Sequence, residues 1–400
     1  MMTIKTLARP LAALAAAAAT VAFPTTHAAA QLVADAEFKE ACEVLRLGGG
    51  FDVPEWLAFS SSPALRLDPA GRLYLRGEDP RVAVLNPDGS FVRYIGGEGE
   101  GPGEFTLLGR FGFVGDTVWL QHSTLLHISY FDSAGAHIRT EMDRGQPSSA
   151  PPTWRISMPL ARGRGFYIPA KGNLRDRRVL VPMTVGSRSA PARDTLGFRL
   201  HNTWMNAMGA TMWFRPMTTP PLYRIHAKGN GVVTADWEPD RPEELVLRHY
   251  DVYGSVVRET TIGSRLRAVS ADARKAFIDE GVERAGGAAA LVRQVGGEVP
   301  SDVRHAVTEG LLLYDYFEPI SSFFLTHDER AWLRDAAPSE DHEATWLVLG
   351  PDGEPEFRIQ APSGIAFKAA LGDRVWATAH TELDVPYIVL HHVTEPGACG

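Results

Sequence analysis

The chain has 400 residues, 44% hydrophobic and 22% charged, with 38 Gly, 28 Pro and only 2 Cys. That is a globular composition, and it excludes a disordered, collagen-like or disulfide-rich chain. A net charge of −8 argues against a nucleic-acid binder that works through a basic surface.

Residues 1–30 place Lys5 and Arg9 before an apolar run from Leu11 to Phe23 and end in Ala28-Ala29-Ala30. A short basic head, an apolar stretch of about 13 residues and an Ala-x-Ala site are the marks of a cleaved secretory signal peptide. The stretch is shorter than the ~20 apolar residues a membrane span needs, and no later run reaches that length. The reading is an exported product, periplasmic or secreted, with no membrane span and with residues 31–400 as one domain. Losing the two leader cations takes its charge from −8 to −10.

Beyond a lone apolar segment, Cys42 to Leu47, a unit of four short strands begins to recur. Its first copy is PALRLDPAGRLYLRGEDPRVAVLNPDGSFVRYI (63–95). Leu73 and Leu75, then Val82 and Val84, alternate as half-buried strands do, and Asn86-Pro87-Asp88-Gly89 is a hairpin turn. Residues 115–140 repeat the unit around Asp132-Ser133-Ala134-Gly135, 46 residues on, which is the length of one propeller blade. A worn copy follows at 163–198, and 229–260 turns at Asp251-Val252-Tyr253-Gly254. Residues 271–309, rich in Ala, Arg and Glu, interrupt the pattern. Ser270 and Ser301 are placed to cap short helices there, with breaks at Gly286-Gly287 and Gly296-Gly297. This insertion is either a lid over one face or a cover for sheet edges. A copy at 329–359 turns at Gly350-Pro351-Asp352-Gly353, and the last, 372–393, stops before its fourth strand.

Six copies, one of them incomplete, predict an all-β, six-bladed propeller with a short helical insertion between blades four and five. The N-terminal segment Cys42–Leu47 can supply the missing strand and so remove a free sheet edge. Running antiparallel to Val385–Val393, it would bring Cys42 beside Cys399, and two such cysteines can pair in an exported protein. The alternative is two free thiols near the chain ends.

These residues resemble the NHL-type six-bladed β-propellers, in particular the exported bacterial 6-bladed β-propeller proteins. The match is closest over DPAGRLYLRGEDPRVAVLNPDGSFVRYIGGEGEGPGEF (68–105), where Gly101-Pro102-Gly103-Glu104-Phe105 is similar to the family's blade-to-blade linker, and over Glu382 to Tyr387 in the last copy. The resemblance covers about 50–395, weakly over 145–220. It implies fold and export rather than chemistry.

Propellers bind ligands where loops gather around the channel mouth. Aligning the copies on their second strand gathers Arg76, Glu78, His122, Lys171, Asp236, Trp237, Arg334, Asp335 and His380 at one end of the disc. That set suits a polar or anionic ligand with Trp237 as a stacking face; the competing reading is a rim of solvated loop residues. Asp236, His122 and His380 could hold one divalent cation such as Ca2+ or Zn2+, which would make a metal-assisted hydrolase or lyase of lactonase type. No metal-binding spacing, nucleophile elbow or Walker-type loop appears. His391-His392 would point to opposite faces of a strand and cannot share an ion. The Gly96–Gly101 run carries two carboxylates, which repel phosphate, and reads as a linker. The leading expectation is therefore a monomeric exported scaffold that binds a small molecule or protein partner, without a cofactor or chemistry of its own.

Overall fold

In a computed structural model of the chain, four hairpins with one backbone geometry mark the repeat. Asn86 N–H donates to Ser90 O at 2.8 Å and Gly89 N–H to Asn86 O at 2.9 Å. The same pair of bonds recurs from Asp132 and Gly135, from Asp251 and Gly254, and from Gly350 and Gly353. The four glycines have φ of +84°, +85°, +90° and +91°, a left-handed conformation that side chains rarely adopt. Each turn is followed by a register shift in the flanking strands, as a bulged hairpin requires.

The structure describes residues 31–399 except 51–52, 60–62, 124–126, 143–155, 169–172, 176–177, 188–192, 201–202, 207–210, 215–221, 238–240, 266, 295–300, 303, 306–307, 309–312, 314 and 337–343. The leader expected at 1–30 and the candidate Lys171 lie outside the described residues. Strands dominate. Ala64–Leu67, Leu73–Arg76, Val82–Leu85 and Phe91–Ile95 form one antiparallel sheet in chain order, and the four strands between Leu108 and Met142 form a second. A five-stranded sheet lies between Ile156 and Leu200, and another is built on Leu222–Ile225, Gly231–Trp237, Glu244–Asp251 and Val256–Arg265. The seven remaining strands from Ile320 to Thr394 belong to one eight-stranded sheet, completed by an N-terminal strand.

Apolar clusters bridge these sheets in succession. Tyr74 and Val84 pack with Phe111 and Phe113, Phe166 and Val185 with Val232, Val233 and Leu247 with Phe323 and Leu333, and Trp332 and Trp346 with Val375. The circuit returns to its start, because Leu65, Leu73 and Leu85 pack with Trp376, Ile388 and Leu390. The arrangement is all-β and propeller-like.

Two N-terminal strands fasten it. β1 (Gln31–Val33) adds to Val256–Arg265, with Leu32 buried in the cluster below. β2 (Glu37–Gly48) pairs antiparallel with Pro386–Thr394, Cys42 opposite His392, while Glu37–Lys39 runs parallel to Phe357–Ile359. It therefore stitches the two halves of the eight-stranded sheet together. Cys42 and Cys399 are disulfide-bonded, Cα–Cα 5.4 Å apart across 357 residues of sequence.

Two elements differ in detail from expectation. The insertion carries one helix of 24 residues, α1 (Ala271–Gln294), rather than short helices broken at Gly286-Gly287. Each glycine costs a helix about 1 kcal/mol relative to Ala, and the flanking Glu283-Arg284-Ala285 and Ala288-Ala289-Ala290-Leu291 are strong helix formers that carry the pair. Ser270 caps it, its Oγ accepting from Ala273 N–H at 3.1 Å. Further on, Asp302 rather than Ser301 does the capping, accepting from His305 N–H at 2.9 Å. The glycine run at 96–101 folds back on itself: Gly97–Glu98 pairs with Glu104–Phe105, and Glu104 Oε2 accepts from Gly101 N–H at 2.9 Å. It is a turn around a carboxylate.

Candidate functional site: a cationic central cavity

Six strands surround a central cavity of about 400 Å³. They are Ala64–Leu67, Leu108–Val114, Ile156–Pro159, Leu222–Ile225, Ile320–Leu325 and Ala366–Leu371, each the first strand of its unit. Its volume lies within the range of small-molecule pockets.

The lining has an unbalanced charge. Arg66, Arg76, Arg110, Arg224 and Lys368 all face the cavity, and among the described residues no Asp or Glu does. Register explains part of this. Arg66 stands opposite Tyr74 and Arg224 opposite Val233, each one step before the end of its short strand, so two strands far apart in the chain present a guanidinium at one level. Arg66 is solvent-accessible through the cavity yet surrounded by protein, and desolvation lowers its pKa. Arg76 anchors by donating Nη1 to Gly109 O at 2.6 Å and to Leu108 O at 3.2 Å. Burial and then the neighbouring Arg110 charge lower its pKa too. Arg224 lies 5.2 Å above the Phe323 ring. Burial pushes the two cavity histidines toward the neutral form, His226 to about 4 and His327 in the same direction.

Donors without acceptors add to the charge. Trp119 and Trp346 line the cavity at 2% exposure, and neither indole N–H has a hydrogen-bond partner. Neither ring nitrogen of buried His327 meets bonding geometry with any group, the Leu67 main chain facing it outside that geometry. Gly112 makes room for one of the indoles: a Cβ there would stand 2.9 Å from Trp119 Cζ2.

The described residues singled out in the sequence lie at the ends of the second strands, one strand outward from this wall, and of these eight only Arg76 lines the cavity. Trp237 offers no stacking face; it is 3% exposed and its Nε1 donates to Pro242 O at 3.1 Å. Asp236 is held by Arg248 at 2.6 Å and by Thr234 Oγ1 at 3.2 Å. Desolvation nevertheless raises its pKa. His122 is buried, with Nε2 3.0 Å from Thr106 Oγ1, and burial lowers its pKa. Asp335 is buried against β1, accepting from Leu32 N–H at 3.4 Å, and desolvation pushes it up to about 7. Arg334 is half-buried, whereas Glu78 and His380 are exposed. Asp236, His122 and His380 are not brought together: among the described residues no group of three His, Cys, Asp or Glu side chains is placed to hold a metal ion. His391 is buried and His392 half-buried, 2.5 Å from Asp373, as opposite faces of a strand require.

Sequence reasoning missed the basic residues of the first strands. A signal was present. Leu65-Arg66-Leu67, Gly109-Arg110-Phe111, Tyr223-Arg224-Ile225 and Phe367-Lys368-Ala369 set one cation inside an otherwise uncharged strand in four of the six.

No protein-family model and no curated protein matches the chain. Among solved structures it is similar to a member of the DUF4221 family from Bacteroides vulgatus, with a TM-score of 0.44 at 9% identity over 89% of this chain and 99% of that one. A putative exported protein from Bacteroides fragilis gives 0.42 at 11% identity over 90% and 99%. The calcium-binding protein regucalcin from Agrobacterium tumefaciens gives 0.37 at 10% identity over 90% and 97%. All have propeller-type folds. Among the described residues no helix is long and apolar enough to cross a membrane.

Proposed function

We propose that this protein is an exported, six-bladed propeller of NHL type that binds a small anion in its central channel. The six cavity-lining strands and the circuit of interfaces support the blade count, and the basic head, apolar run and Ala-x-Ala site support export. One observation carries the ligand reading: five cationic side chains line a cavity to which, among the described residues, no carboxylate contributes, inside a protein of net charge −8. Like charges gathered around one cavity, as Arg76 and Arg110 are, raise the free energy of the empty state, and low-dielectric walls focus their field on the cavity. An anion recovers that cost on entry, through charge-assisted hydrogen bonds.

Titration calorimetry and thermal unfolding with sulfate, phosphate, acetate and citrate test the proposal. At least one should bind and raise the melting temperature. The Arg110→Gln variant removes a charge that repels Arg76, so it should weaken binding about tenfold while leaving the empty protein as stable or more stable by ~0.5–2 kcal/mol. If no anion binds the folded wild-type protein, the proposal falls.

A further inference from the structure

Two of the cavity's cations are both accessible and unengaged. Arg66 and Arg110 line the cavity and are exposed, and among the described residues no hydrogen bond or ion pair holds either of them. Arg76 is anchored to the main chain, and Arg224 and Lys368 have partners of their own. A ligand in the channel therefore meets two free guanidinium groups. Resting on the anion-binding reading, we infer that this ligand is a linear dicarboxylate lying along the channel, with one carboxylate on Arg66 and the other on Arg110.

Register sets the two cations apart. Arg66 stands opposite Tyr74 of the neighbouring strand. Trp119 is the counterpart of Tyr74 in the second unit, each being the aromatic residue of its strand that packs toward the following unit, and Trp119 stands opposite Gly112. Arg110 comes two residues before Gly112, so it lies one same-face step nearer the start of its strand, ~6–7 Å along it. The bonds of Arg76 agree. Arg76 stands opposite Ala64, two residues before Arg66, and it donates to Leu108 O and Gly109 O, next to Arg110 in the chain. The two adjoining strands thus pair a cation with a small residue at each level, Arg110 with Ala64 and Arg66 with Gly112, and all four line the cavity. The small residues leave room on the diagonal between the two guanidinium groups. A compact anion answers one of these groups and leaves the other charged and unpaired, whereas a molecule with an anionic group at each end answers both. The guanidinium fork presents two parallel N–H groups, which the two oxygens of a carboxylate match one for one. A phosphate group would bring a third terminal oxygen to an end where one free guanidinium stands.

Calorimetric titration of the wild-type protein with the straight-chain dicarboxylates from malonate to suberate, with the monocarboxylate of each chain length, and with sulfate and pyrophosphate tests the assignment. Affinity should pass through a maximum along the dicarboxylate series, and the best member should bind at least tenfold tighter than its monocarboxylate and than sulfate. Arg66→Gln and Arg110→Gln should each bring that dicarboxylate down to the level of the monocarboxylate. Circular dichroism and thermal unfolding establish that each variant is folded. Equal affinity for the mono- and dicarboxylates, tighter binding of sulfate or pyrophosphate, or a dicarboxylate preference that survives both substitutions would overturn the assignment and leave the anion-binding reading standing. Absence of binding by every anion would overturn both.

Discussion

Two histidines and one aspartate, the groups of the acid range with the largest shifts, lead the response of the fold to acid. Burial drives His226 down to about 4 and His249 down to about 3, and His249 accepts from Arg258 Nη2 at 2.8 Å, as a neutral ring does. Their folded pKa values lie below the unfolded one, so unfolding takes up a proton at each site between about pH 4 and 6.5, and stability is lost as pH falls through that window. Asp335 acts in the opposite sense. Its pKa, raised to about 7, means that the folded state holds a proton the unfolded state has released, so its contribution is lost as pH rises from about 4 to 7. Two protons against one leave a net loss on acidification, at ~1.4 kcal/mol per pH unit for each uncompensated proton. Urea unfolding at pH 4.5, 5.5 and 6.5 should therefore show the wild type weakening toward acid. The slope should flatten in His249→Gln and steepen in Asp335→Asn; parallel lines for all three proteins would refute this account.

At the scale of elements, β2 carries more than its own pairing. It hydrogen-bonds two halves of one sheet, and its Leu45 and Leu47 press against the Gly89 turn of the first unit, where a Cβ would come within 2.6 Å of Leu45. A strand taken from the far end of the chain must be held there against the entropy of a long loop, and the Cys42–Cys399 bond removes most of that freedom from the unfolded chain. Reduction, or the Cys42→Ser, Cys399→Ser pair, should lower the unfolding free energy by ~3–5 kcal/mol, read as a shift of the denaturant midpoint with little change in native circular dichroism. A midpoint indifferent to reduction would show that pairing alone secures the strand. This closure was legible beforehand, because an unpaired edge at one end and an unpaired strand at the other have one economical solution. The four turns were legible for a local reason, each needing a glycine at positive φ. Continuity through Gly286-Gly287 was not, since helix formers on either side outweigh a local breaker only when counted over the whole segment.

For the molecule as a whole, sign and location of charge part company: an acidic exterior encloses a basic interior. The cavity escaped sequence reasoning because Arg66, Arg110, Arg224 and Lys368 are spread over 303 positions, with no spacing to betray them. What a linear reading does find are the loop residues at the strand ends, and there Trp237 and His122 turn out to be packed and bonded within their own unit. The separation of charge has a measurable result. A polyanion such as heparin or duplex DNA is repelled by the exterior and is too large to follow a small anion inward. In a competition assay it should leave a bound small anion in place, and displacement would relocate the site to the surface.

The bond between Cys42 and Cys399 also changes what it means to cut this protein. With both ends joined, the chain from 42 to 399 is a covalent ring, and a ring must be opened twice before it comes apart. A protease working at the exposed Thr381–Val385 turn, where Leu383 is 75% accessible, would leave a nicked but undivided molecule. Wherever the disulfide persists, that tolerance gives a single scission no fragment to release.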